Sequence, residues 1–160
     1  MAISLREEKA PQAEIRDGSE EKVPAGGNET VLLVDDDELI LELGGEMLSE
    51  FGYKVLTASD GESGLSLYRG NQMKIDLVVL DLSMPGMGGR ECLEELRKIN
   101  PMAKVIITSG YSTDEHAKEA LGMGASGFIS KPYGIDRMLK TVRCVLDSES
   151  ATHGAPLHVL

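Results

Sequence analysis

Two near-continuous aliphatic runs, Val31-Leu32-Leu33-Val34 and Leu77-Val78-Val79-Leu80, are each followed at once by carboxylates. Unbroken apolar runs of this kind mark strands buried on both faces, as in a parallel sheet, rather than strands with one wet face. Further strand-like runs fall near 53–58, 104–109 and 126–130, and with 30–35 and 76–81 they make five. Helical spacing appears between them. Ile40, Leu43, Met47 and Phe51 form one apolar stripe, Leu93, Leu96 and Ile99 a second, and Ile135, Met138, Leu139, Val142 and Leu146 a third. Residues 112–122 read as a weaker helix whose apolar side is Ala117, Ala120 and Leu121. Gly52 and Asn100-Pro101 supply stop signals for two of the helices. Five βα units in about 120 residues predict an α/β fold, a single doubly wound parallel sheet with helices on both faces.

The periodicity fails at both ends. Residues 1–28 are rich in Glu, Lys, Gly, Pro and Ser and read as a flexible leader or linker, ending at Ala25-Gly26-Gly27-Asn28. The domain then spans 29–147, and 148–160 reads as a disordered tail in which His153 and His158 are solvated rather than metal ligands. With 41% hydrophobic residues the chain can build a sizeable core. No apolar run approaches bilayer length and the start is charged rather than signal-like, so a cytoplasmic location without membrane contact is expected. The net charge of −11 excludes a basic nucleic-acid face. Cys92 and Cys144 lie far apart with no CxxC spacing, the usage of reduced, mostly buried thiols.

Sheets of this class bind ligands outside the carboxyl ends of their strands, at a topological switch point. Asp35 and Asp36 end the first strand, Asp81 the third and Ser109 the fourth, while Lys131 follows the fifth. Each has a plain structural alternative. Asp35-Asp36-Asp37 with Glu38 suits a helix start, Asp81-Leu82-Ser83-Met84-Pro85-Gly86 and Ser109-Gly110 suit turns, and Lys131 suits a surface. What these alternatives leave unexplained is the joint placement, each residue at the end of a different strand. Converging carboxylates repel and call for a cation, and hard oxygen donors suit Mg²⁺. An Asp beside Mg²⁺ and a Lys can receive a phosphoryl group: Asp81 as nucleophile, Lys131 paired with the developing charge, and the Ser109 hydroxyl donating to a phosphoryl oxygen.

Over roughly residues 29–147 the chain resembles the receiver domain of two-component response regulators. The resemblance is carried by Val34-Asp35-Asp36, by Asp81-Leu82-Ser83-Met84-Pro85-Gly86-Met87-Gly88-Gly89, by Thr108-Ser109-Gly110-Tyr111, and by Gly124 to Tyr133 with its Lys131-Pro132. It implies a flavodoxin-like sheet of order 2-1-3-4-5 with five helices, and Asp81 as the phosphoacceptor. It implies Mg²⁺ held directly by Asp36, Asp81 and the Ser83 carbonyl, with Asp35 acting through water, and a cis Lys131-Pro132 bond. Ser109 and Phe128 would form a switch pair that alters the face of helix 4, strand 5 and helix 5. Ser83 and Tyr111 would tune the lifetime of the phosphoryl group. Ser109 stands where Thr is commoner and Tyr133 where Phe is usual. The implied partners are a histidine kinase or histidine phosphotransfer domain upstream, and a downstream protein or a second copy through the switched face.

Three other functions compete. An aspartyl phosphatase of the haloacid dehalogenase type needs a second Asp two residues beyond the nucleophile, where this chain has Ser83. A nucleotide or flavin binder needs a Gly-rich loop after its first strand, where this chain has three carboxylates. A receiver-like interaction module that is never phosphorylated would not need the full Asp, Ser and Lys set. The expectation is therefore a phosphoacceptor that catalyses only its own phosphorylation and dephosphorylation. Two origins fit, a stand-alone receiver that acts by protein contact and a fragment of a hybrid sensor histidine kinase. The leader before Val31 favours the second, because it resembles the linker preceding the C-terminal receiver of such kinases, whose kinase domain this chain lacks.

Overall fold

The computed structural model describes residues 25–110, 114–148 and 158–159. Its elements are β1 Thr30–Val34, α1 Glu38–Glu50, β2 Lys54–Ala58, α2 Gly61–Gly70, β3 Leu77–Asp81, α3 Gly89–Ile99, β4 Val105–Ser109, α4 Asp114–Gly122, β5 Gly127–Ser130, α5 Ile135–Asp147 and the two-residue strand β6 His158–Val159. All pairings are parallel, in the order β2-β1-β3-β4-β5-β6. The five expected strands thus run 2-1-3-4-5, with β6 added beyond β5.

Alternation along the buried strands sorts the core into two layers. Leu32, Val34, Val78, Leu80, Val105, Ile107 and Phe128 pack with Leu65 and Tyr68 of α2, Leu93 and Leu96 of α3, and Ala117 and Ala120 of α4. Val31, Leu33, Leu77, Val79, Ile106 and Ile129 pack with Leu48 of α1 and with Met138, Leu139, Val142 and Val145 of α5. Both sheet faces are covered, which is why the strands read as unbroken apolar runs.

The face of α1 differs from the predicted stripe. Gly44 and Leu48 are its buried residues, with Leu41 and Phe51 packed against the same layer, while Leu43 is 48% exposed. The reason is close approach: a Cβ on Gly44 would stand 3.1 Å from Leu33 Cδ2, so the helix meets the sheet at a residue with no side chain. Hydrophobic periodicity does not register such a position.

Both end assignments need correction. Gly26 and Gly27, placed in the flexible leader, are tied to the domain: Gly27 N donates to the Phe51 carbonyl at 3.1 Å and Arg143 Nη1 to the Gly26 carbonyl at 3.0 Å. In the expected disordered tail, His158 and Val159 instead pair with Gly127 and Phe128. An edge strand offers unpaired backbone groups that a returning segment can satisfy. The rest of the leader before residue 25, His153 and Tyr111 lie outside the described residues.

Candidate functional site

Register alone brings the predicted residues together. Val34 pairs with Leu80, so the residues that follow, Asp35 and Asp81, stand side by side at the carboxyl edge. Asp81 pairs with Thr108, which sets Ser109 one step further out, and Ser109 pairs with Ser130, which brings Lys131 over the same edge. Lys131 Nζ lies 2.8 Å from Asp35 Oδ2 and 3.4 Å from Asp81 Oδ1. The Lys131-Pro132 bond is cis, as the resemblance implied.

The three consecutive aspartates divide their work. Asp37 is the N-cap of α1, its carboxylate accepting from Leu39 N at 3.0 Å. Asp35 is buried, accepts from Asp37 N at 2.9 Å and pairs with Lys131. Asp36 is exposed above the site. The helix-capping alternative is therefore true of one aspartate and leaves two for chemistry.

Asp35, Asp36 and Asp81 each offer a carboxylate oxygen, all within 4.8 Å of one another. That hard, anionic donor set fits a divalent cation of the Mg²⁺ type. Burial first, and then the Asp35 charge, push the Asp81 carboxyl up to about 6, against the opposing pull of Lys131 and the Ser83 N–H. Burial works against the Lys131 ammonium, but its hydrogen bond to Asp35 and the charges of Asp81 and Asp35 outweigh it and hold its pKa above the usual value. The site thus carries more negative charge than one lysine balances.

The loop after β3 shapes the floor. Ser83 N donates to Asp81 Oδ1 at 3.3 Å, fixing the carboxylate from below. A Cβ on Gly89 would lie 2.3 Å from the Asp81 carbonyl oxygen and 2.5 Å from Leu82 Cα, so α3 begins in contact with the backbone of Asp81 and Leu82. In the sequence Gly89 stands only as the end of the 81–89 run, with no role assigned to it; its one signal is the Gly88-Gly89 pair before the second helical stripe. Ser109 is fully buried at the end of β4, and Phe128 is only 4% exposed, packed in the layer that contains Ala117 and Ala120 of α4. Burial also raises the Cys92 thiol to about 11, with Glu91 adding to it, so this free cysteine is inert at neutral pH.

A doubly wound parallel sheet with an acidic triad and a lysine at its carboxyl edge defines a phosphoacceptor class of α/β domain. The chain belongs to the response regulator receiver domain family, whose sequence model matches residues 31–143. It is 36% identical to the chemotaxis protein CheY of Treponema pallidum (strain Nichols) over 124 residues, covering 77% of this chain and 86% of that protein. It is 33% identical to the sensor kinase CckA of Brucella abortus (strain 2308) over 144 residues, covering 90% of this chain but only 15% of that kinase. A chain of the CheX-CheY-BeF3-Mg²⁺ complex from Borrelia burgdorferi superposes with a TM-score of 0.72 at 31% identity, over 75% of this chain and 90% of that one. No described helix is long and apolar enough to cross a membrane.

Proposed function

We propose that this domain takes a phosphoryl group from a phosphohistidine, on a histidine kinase or a histidine phosphotransfer protein, onto Asp81. The observation that carries it is the convergence of Asp35, Asp36 and Lys131 on the buried Asp81 carboxylate. An Asp81 oxygen attacks the phosphorus while the P–N bond breaks. The electron pair of that bond stays with the imidazole nitrogen, which takes a proton from water, and Asp81 becomes an acyl phosphate.

Bound Mg²⁺ would supply charge neutralisation between the aspartates and the phosphoryl oxygens. Asp36, Asp81 and the Ser83 carbonyl would hold it directly, and Asp35 through water. Lys131 shifts its pairing from Asp81 to a phosphoryl oxygen, and the Ser109 hydroxyl donates to another. With little proton transfer to perform, these groups act by position and charge. The reaction is the domain's only catalysis, together with loss of the same phosphoryl group to water.

The response travels through Ser109 and Phe128 to the face of α4, β5 and α5. Since Phe128 is already buried beneath α4, the change is a repacking of an inward ring rather than the entry of an exposed one. Leu39 and Leu43, 59% and 48% exposed on α1 just beyond the acidic cluster, form an apolar surface suited to the donor's helix. We place the domain in the cytoplasm, where such donors act. Relatives of this chain include both a protein it covers almost whole and a sensor kinase of which it covers a minor share.

Incubation with Mg²⁺ and acetyl phosphate, followed by intact mass, tests the proposal. A Mg²⁺-dependent, hydroxylamine-labile phosphoryl adduct is expected on the wild type and none on Asp81→Asn. A wild type that stays unmodified while a control receiver is labelled would leave the domain as an interaction module.

A further inference from the structure

The strand β6 was not predicted, and its position bears on the output face. β5 would be the edge of the sheet without it, and edge strands present backbone groups that invite another strand. Here the occupant is the chain's own segment: His158 stands opposite Gly127 and Val159 opposite Phe128, in parallel register. β6 also lies against α5. It therefore covers the β5–α5 part of the face through which a receiver speaks to its partner.

Topology explains how the segment arrives. α5 returns the chain to the starting end of β5, so β5-α5-β6 is one more parallel crossover unit. Nine residues, 149–157, separate the described end of the α5 segment from β6. β6 pairs through two residues only, against the four or five residues of each of the other strands.

The register adds the functional link. Val159 is the partner of Phe128, the residue whose repacking would report phosphorylation. A shift of Phe128 moves the backbone to which β6 is paired. We propose that His158–Val159 is an intramolecular latch that occupies the β5 edge in the resting state and is released when Asp81 is phosphorylated. The release half rests on the phosphoacceptor function above; the resting latch does not.

The test compares the 160-residue wild-type chain with His158→Pro/Val159→Pro, which removes both backbone donors of β6 and leaves every residue of the phosphorylation site in place. Hydrogen exchange is read by mass spectrometry on the peptide covering β5, with and without acetyl phosphate and Mg²⁺. In this labelling step the Asp81 carboxylate attacks phosphorus and the P–O bond breaks, its electron pair leaving with acetate. Intact mass reports the adduct separately.

Without phosphodonor, β5 amides of the variant should exchange at least fivefold faster than those of the wild type, while β1 and β3 exchange alike in both. Phosphorylated wild type should approach the variant's rate. By reciprocity the variant, with no latch to open, should reach a higher phosphorylated fraction at equal acetyl phosphate. Equal β5 exchange in the two unphosphorylated proteins would overturn the latch. A difference that persists in fully phosphorylated protein would overturn its release, and absence of any adduct would sink the phosphoacceptor function while the resting comparison still decides the latch.

Discussion

At the scale of single residues, the acceptor depends on neighbours that carry no chemistry. Gly89 is the sharpest case, because its missing side chain lets α3 start against the Asp81 carbonyl and Leu82 Cα, at 2.3 and 2.5 Å from where a Cβ would be. Both obstacles are backbone, so relief requires the helix or the loop to move. Gly89→Ala should destabilise the domain by about 1–3 kcal/mol, the usual cost of overpacking. It should also slow labelling of Asp81, since Leu82, against which the new Cβ would press, joins Asp81 to Ser83, whose N–H orients the Asp81 carboxylate. Gly88→Ala is the control. Its Cβ would meet nothing nearer than the Met84 carbonyl oxygen at 3.6 Å, and urea midpoints should show a clearly smaller loss. Equal losses in the two variants would mean that close approach is not the reason for Gly89.

At the scale of elements, one cation fastens α5 to the entrance of β1. Arg143 reaches Glu29 with two nitrogens, at 2.7 and 3.1 Å, and also Asp147 at 2.9 Å and the Tyr53 hydroxyl at 3.2 Å. The Arg143 hydrogen bond is the main reason the Glu29 carboxyl lies below its usual 4.5. A carboxyl depressed by folding adds stability that is present above its unfolded pKa and is lost as pH falls through the folded one. Glu29→Gln should therefore cost about 1 kcal/mol at pH 7, and the cost should fade towards pH 3.5. Urea midpoints at the two pH values check this; a cost unchanged with pH would assign it to shape rather than charge. This fastening was not legible in the sequence, because Glu29 and Arg143 are far apart and neither breaks a pattern. The strands were legible, because burial on both faces leaves continuous runs such as Leu77-Val78-Val79-Leu80, and the site followed from which residues end them. The face of α1 was misjudged because its nearest contact with the sheet is Gly44, and β6 was missed because two residues carry no period.

At the scale of the whole molecule, stability and readiness to react pull against each other. Asp35, Asp36 and Asp81 lie within reach of one ion, and Lys131 alone does not balance them. Folding assembles this repulsion, since the unfolded chain holds Asp81 far from the other two. A cation that binds only the folded site must then stabilise the whole domain through linkage, by about 1.4 kcal/mol at ten times its dissociation constant. For a domain of this size that is a rise in Tm of roughly 4–7 °C. Asp36→Asn separates the two effects within one variant. Removing an exposed charge from the cluster relieves repulsion, so the variant should melt above wild type in the presence of a chelator. Removing a donor weakens the ion's hold, so titrated Mg²⁺ should raise its Tm much less than that of wild type. The two melting curves should therefore cross as Mg²⁺ is added. Parallel curves at all Mg²⁺ concentrations would show that Asp36 takes no part in holding the ion.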